Sequence, residues 1–260
     1  MTPSGDETVY AGPRYTAEDP DLEGLAACEE RIQQLEEQYS LDIRINQEPQ
    51  LPQGYSYLPL YDVPAISENL DYLEGALEHY PAELIQTVAS LSDSGRLHIS
   101  IVTIIESPGK DYRSSLHYYD KGKASVVLQY GPSISQLFHR ELAFYIDEYI
   151  CANSDVLDPW ETLNPEGFTY YGSYEAVMAD SKAYWSDNFA SQYAMASPAY
   201  DRAAVMEYAT VEAAKSEFAS DRMQDKLRLW CQAIREVFDL EGVTTSFLWE
   251  QHLLDSAHSN

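Results

Sequence analysis

Residues 137–150 read LFHRELAFYIDEYI, and the fold turns on how that stretch is read. Ile134, Phe138, Leu142, Tyr145 and Tyr149 recur at helical spacing, which predicts a long amphipathic helix over about 133–152. Glu141 lies beside the apolar stripe, one turn after Phe138 and one before Tyr145. An acid in that position ordinarily pairs with Arg or Lys, or reaches solvent. His139 and Glu141 are two residues apart, a spacing that does not share a helix face.

Strand signals dominate upstream of this helix. HISIVTII (98–105) is β-branched and alternating. SLHYY and ASVVLQY flank Asp120-Lys121-Gly122-Lys123, which predicts a hairpin. Before them, a helix opens at Pro20 and Asp21, LDIRINQE (41–48) alternates like a strand, and the Pro- and Tyr-rich 49–64 reads as a loop. Ser67 is expected to begin one helix and Pro81 to stand in the first turn of another. Downstream, 173–238 reads as mostly helical, and VTTSFLWEQHLL lies near the chain's end. Strands followed by helices argue for an α+β fold. The expected organisation is a flexible leader (1–18), an acidic N-terminal helix and strand (19–48), and one domain over 49–260.

The chain has 260 residues, 45% hydrophobic and 12% aromatic, with 21 Tyr against 7 Phe. That composition suits a folded protein with a sizeable core, and tyrosine adds apolar area with a polar tip. The net charge of −27 disfavours phosphate backbones and anionic lipid surfaces as partners. It leaves a peptide or protein partner open. Residues 1–48 carry 12 acids and 3 bases, a net of −9 and so a third of the total. No apolar run is long enough to span a membrane. The polar first twenty residues read like a tether behind a removed signal or lipid-anchor segment, so export or surface display is expected, with a cytoplasmic place as the alternative. Cys28, Cys151 and Cys231 form no CxxC pair, and Cys151 and Cys231 are expected as buried thiols.

A zinc-protease helix reads H-E-x-x-H: two histidines one turn apart supply nitrogens to one ion, and the Glu takes a proton from the metal-bound water. With Glu141 in the place of that Glu, the ligand positions fall on Arg140 and Phe144. Arg keeps its proton, and Phe has no donor atom. His79, His98 and His117 are scattered, and nothing in the sequence pairs them.

Three phrases nevertheless occur in order. They are LFHRELAFYIDEY, the loop with Trp160, Leu163, Asn164, Pro165, Gly167, Phe168 and Tyr170, and the helix start with Tyr193, Ala194, Ser197, Pro198, Asp201, Arg202 and Ala203. Together they resemble a bacterial family of zinc-binding metallopeptidases related to the anthrax lethal factor protease domain, over roughly residues 80–215. The resemblance implies a zincin-like metallopeptidase fold, with a small mixed sheet packed on an active-site helix and a mostly helical C-terminal half. It implies zinc as cofactor, Glu141 as the base, Tyr193 as an oxyanion-stabilising residue, and an acidic third ligand at Tyr200 with a further acid at Ala204. The ligand positions Arg140, Phe144 and Tyr200 all depart from that pattern, so no zinc and no other metal is expected here. Glu141 and Tyr193 are then vestigial, and Ala204, His139, Trp160, Asn164 and Phe168 are expected to support the cleft. Arg140 is a candidate to stand in for the missing cation.

The expected function is therefore a pseudo-protease that keeps the cleft without zinc and serves in binding, either of a peptide along an edge strand or of a partner on a tyrosine-rich acidic surface. The alternatives are an active metallopeptidase with an atypical ligand set, and a structural surface lipoprotein domain.

Overall fold

The computed structural model describes residues 21–45, 51–107, 112–179 and 187–254. The leader expected over 1–18 lies outside them. Helix α1 (Leu22–Tyr39) opens on Asp21, whose carboxylate accepts from Gly24 N at 2.8 Å, a side-chain N-cap. It leads into strand β1 (Leu41–Arg44), so the acidic N-terminal segment enters the sheet directly.

The 49–64 segment, expected as a loop throughout, contains strand β2 (Ser56–Pro59) and the start of helix α2 (Val63–Leu77). Pro59 is tolerated because β2 is short and its register breaks between Leu58 and Pro59. The helix expected from Ser67 begins four residues earlier because Asp62 caps it, accepting from Ala65 N at 3.0 Å, with Pro64 in its first turn. Helix α3 (Ala82–Ala89) follows.

Strand β3 (Leu97–Glu106) is the spine of the sheet. Strand β1 pairs parallel with its first half and β2 antiparallel with its second half. The two-residue β4 (Tyr112–Arg113) pairs antiparallel at its end. Strands β5 (Ser115–Asp120) and β6 (Lys123–Gln129) form the expected hairpin. Lys121 and Gly122 both have positive φ, 49° and 75°, as a two-residue hairpin turn of the favoured hand requires. A Cβ at Gly122 would also lie 1.9 Å from the Asp93 carboxylate, so a larger residue there would have to displace that side chain as well. The path β1–β3–β6–β5 leaves β5 on one rim.

Helix α4 (Ile134–Asn153) carries the LFHRELAFYIDEYI stretch. Phe138, Leu142 and Tyr145 are buried in the main core. The Tyr145 hydroxyl fixes the helix on the hairpin. It accepts from the N–H of Ser125 at 2.8 Å and of Tyr118 at 3.2 Å, and lies 2.8 and 2.9 Å from their carbonyls. After α4 come a 3₁₀ turn (Asp158–Leu163) and helices α5 (Tyr174–Ala179), α6 (Pro198–Ala209), α7 (Asp221–Val237) and α8 (Gln251–Leu254). The architecture is the α+β arrangement expected: a small mixed sheet on α4, then a helical C-terminal half. Cys151, expected buried, is exposed on the last turn of α4, while Cys28 and Cys231 are buried. Position 151 follows Ile150 and has already turned off the apolar stripe.

Candidate functional site

An open cleft of about 570 Å³ lies between β5, α4, α5 and the start of α6. Its walls include His117, Arg140, Glu141, Phe144, Tyr193 and Tyr200. Glu141 is buried at its base. His117 Nδ1 lies 2.6 Å from Glu141 Oε2, so the histidine that looked unpaired in sequence is paired across two elements. Ser115 donates a short hydrogen bond to Glu141 Oε1. Arg140 Nε donates to the same oxygen at 3.0 Å.

Arg140 points into the cleft. Its second guanidinium arm donates a short bond to Ser115 Oγ, and Nη1 lies 3.8 Å from Glu207 Oε2. Burial opposes the guanidinium's charge, but Glu141 and then Glu207 outweigh it and hold it protonated. Burial alone would raise the Glu141 carboxyl. The His117 hydrogen bond and the Arg140 charge carry it down to about 2 instead. Glu207 goes the other way: burial raises it, and Arg140 and the Tyr193 hydroxyl only partly compensate. Tyr193 donates a short bond to Glu207, Gln136 Nε2 donates to the same carboxylate at 3.1 Å, and the Tyr193 ring faces the guanidinium at 5.7 Å. Burial and then the Glu207 charge raise the Tyr193 hydroxyl well above its ordinary value, so it is neutral and a donor.

The two remaining ligand positions meet each other. Phe144 and Tyr200 pack edge to face with centroids 5.1 Å apart, and His117 stacks on Phe144 at 3.9 Å. A guanidinium and a phenyl ring offer no lone pair to a cation. Among the described residues no group of three or more His, Cys, Asp or Glu is placed to hold an ion. The side chains present do not fit the zinc that the resemblance implies.

The other expected residues lie elsewhere. His139 is 2% exposed and points to α3's approach, with its Nδ1 2.8 Å from the Tyr80 hydroxyl. Ala204 is buried inside α6. Trp160 and Tyr170 converge on Asp201: the indole Nε1 donates at 3.0 Å, the Tyr170 hydroxyl at 2.7 Å, and Lys226 Nζ at 2.7 Å. Asn164 ends the 3₁₀ turn. Phe168 packs on Phe189 at 4.7 Å and on Tyr170 at 5.1 Å. Arg202, next to Asp201, makes two hydrogen bonds to Asp147 of α4, one at 3.1 Å and one shorter. Ser197 caps α6, accepting from Tyr200 N at 3.3 Å. The two later phrases of the sequence therefore meet in a buried polar junction around Asp201, and the neighbouring Arg202 ties α6 to Asp147 of α4.

The chain is similar to the crystal structure of a "putative zinc-binding metallo-peptidase" from Bacteroides caccae, with a TM-score of 0.54, 12% identity, and coverage of 91% of this chain and 94% of that one. The chain has a metallopeptidase-like fold. No family model matches the sequence. No curated protein matches it either. The likeness thus concerns the metallopeptidase-like scaffold alone. Glu207, like the pairing of His117, is a part of the cleft network that sequence reading missed. It stands three residues beyond Ala204, where the resemblance placed a further acid, and one helical turn keeps it on the same face.

Proposed function

We propose that the chain is a pseudo-protease: a metallopeptidase-like scaffold in which an internal guanidinium replaces the metal and the cleft binds a peptide or protein segment. The observation that carries the reading is the position of Arg140. It donates to Glu141 and Ser115 and lies within ion-pair distance of Glu207, so the acids that would face a metal face an arginine. Phe144 and Tyr200 support it further, since their rings fill the ligand positions with a mutual contact. Glu141, as a base, has no metal-bound water to act on and serves as an ion-pair partner. Tyr193 keeps a donor role toward Glu207.

Binding would use the rim of the sheet. Among the described residues β5 pairs only with β6, and Ser114 to His117 line the cleft, so an extended segment could add beside β5. Export or surface display belongs to the same proposal, in line with the acidic, tyrosine-rich composition. The test is incubation of the purified protein with a generic peptide library, with and without a chelator, followed by mass spectrometry. No cleavage is expected in either arm. Chelator-sensitive cleavage would overturn the proposal in favour of an atypical metallopeptidase.

A further inference from the structure

We infer that Ser94, His98 and Asp42 form a second site, apart from the cleft, at which a serine nucleophile takes the acyl group of small activated esters.

The site follows from the register of the sheet. Strand β1 pairs parallel with β3 so that Asp42 stands beside His98. Leu41, Ile43, Leu97 and Ile99 on either side of them belong to the main core, so strand alternation puts Asp42 and His98 together on the other face. His98 Nδ1 lies 2.6 Å from Asp42 Oδ2. Arg44, two residues along β1, donates to the same carboxylate from Nε at 3.2 Å and from Nη2 at 3.0 Å. The His98 hydrogen bond, and then Arg44, hold the Asp42 carboxyl well below the usual carboxylate range against its partial burial. An ionised carboxylate only accepts, so the neutral ring carries its proton on Nδ1 and a lone pair on Nε2. That Nε2 lies 3.1 Å from the hydroxyl of Ser94, in the turn that leads into β3. The Arg96 carbonyl is farther from the hydroxyl, at 3.5 Å, so the imidazole is its closer acceptor. The order is that of nucleophile, base and orienting acid, which is recognised by geometry and not by place in the chain. The His98 side chain is 11% exposed, while Ser94 is open to solvent. None of the three lines the cleft around Glu141, so this site stands independently of the binding reading above.

Ser94 Oγ attacks the acyl carbon and gives its proton to His98 Nε2. The bond to the leaving alkoxide breaks, and the alkoxide takes that proton. Water then attacks the acyl-serine, passes a proton through Nε2 to Oγ, and releases a carboxylic acid. The turn limits the substrate. Asp93, Gly95 and Arg96 already donate their N–H groups to Gly122 O, Ser92 O and Ser94 Oγ, so a forming oxyanion is held weakly. Esters with a good leaving group, such as a phenolate, fit that limit, and peptide amides stay intact.

The experiment treats the intact protein with p-nitrophenyl acetate and, separately, with a fluorophosphonate probe, whose fluoride leaves as Oγ bonds to phosphorus. Peptide mapping should find the label on Ser94, and ester hydrolysis should fall to background in Ser94→Ala. His98→Gln should slow labelling by about 100-fold. Asp42 acts as a positioning residue: in Asp42→Asn labelling should slow at least about tenfold, and nitrogen NMR should show the neutral His98 proton shifted from Nδ1 toward Nε2. An unlabelled Ser94, or equal hydrolysis by the parent and Ser94→Ala, would overturn the inference. Ser94 stands on an exposed turn, so that comparison decides even where a buried-site variant fails to fold. Labelling of Ser94 at an unchanged rate in folded His98→Gln would also overturn it, because the serine would then be merely exposed. An unchanged tautomer and rate in Asp42→Asn would overturn the three-residue assignment.

Discussion

Arg140 Nε lies 3.0 Å from Glu141 Oε1, although the two residues are neighbours on one helix. Adjacent helical positions point about 100° apart, so the contact forms only because the arginine folds back into the cleft. There it also reaches Ser115 and Glu207, and α4 places its own cation among these acids.

Removing that cation should be costly. Arg140→Met leaves Glu207 buried without a counter-charge and Glu141 with His117 alone, and breaking a buried pair this way costs about 3–5 kcal/mol. Urea unfolding at neutral pH should show that loss. The double variant Arg140→Met with Glu207→Gln should recover part of it. Equal stability of Arg140→Met and the parent would show the guanidinium to be incidental.

The Glu141 carboxyl, held at about 2 against an ordinary 4.5, gives a pH signature. A depressed acid contributes stability that is fully present above its unfolded value and is lost as pH falls through its folded one. The contribution, about 3 kcal/mol by the size of the depression, should fade between pH 4.5 and 2. Glu141→Gln should therefore be markedly less stable than the parent at pH 7, and the gap should narrow toward pH 2. A gap independent of pH would contradict the ion-pair assignment.

His139 should act in a different window. Burial, and then His79, push it from 6.5 down to about 3, so it folds neutral while the unfolded chain takes up a proton. The parent should lose stability as pH falls from 6.5 toward 3, by up to about 1.4 kcal/mol per pH step from this residue. His139→Gln still offers Tyr80 a hydrogen-bond partner and does not titrate. Its stability between pH 6 and 4 should fall less steeply by about 1 kcal/mol per step. Parallel curves would sink the assignment.

The buried junction around Asp201 can be tested with a double-mutant cycle. Lys226 and Asp201 side chains are both fully buried. Lys226→Met should cost about 3–5 kcal/mol by stranding the carboxylate, and adding Asp201→Asn, whose amide oxygen still accepts from Trp160 and Tyr170, should restore part of it. Tyr170→Phe removes one donor to Asp201 and should cost about 1–2 kcal/mol. Additive losses in the cycle would mean that the junction is not a unit.

What could be read in the sequence and what could not follow one physical divide. Periodicity located α4, β3, the hairpin turn and the α+β order, because each depends on residues close in the chain. It missed β2, whose short, bulged pairing with β3 is set by a partner some 50 residues away, and it placed the start of α2 late because the Asp62 cap lies inside a Pro- and Tyr-rich run. In the site, Arg140 and Phe144 were identified by position on one helix. His117 and Glu207 were not, since each meets the network across elements: His117 reaches Glu141 from β5, and Glu207 reaches Arg140 from α6. Trp160, Tyr170 and Asp201 were found as motif letters, but their convergence on one carboxylate belongs to the fold and not to the spacing.

Restoring ligands tests whether the scaffold is aligned as described. Arg140→His, Phe144→His and Tyr200→Glu together place two imidazoles and a carboxylate at the positions of the three departures, a set suited to tetrahedral zinc with one open site. The triple variant should bind about one zinc ion per chain by equilibrium dialysis and elemental analysis. Failure to gain any zinc would put the placement of these three positions in doubt.

The most direct measurement is the zinc content of the unaltered protein, purified without chelator and then dialysed against a small molar excess of zinc. If the Arg140 guanidinium holds the metal's place, elemental analysis will find no stoichiometric zinc. One tightly held zinc ion per chain would contradict the account.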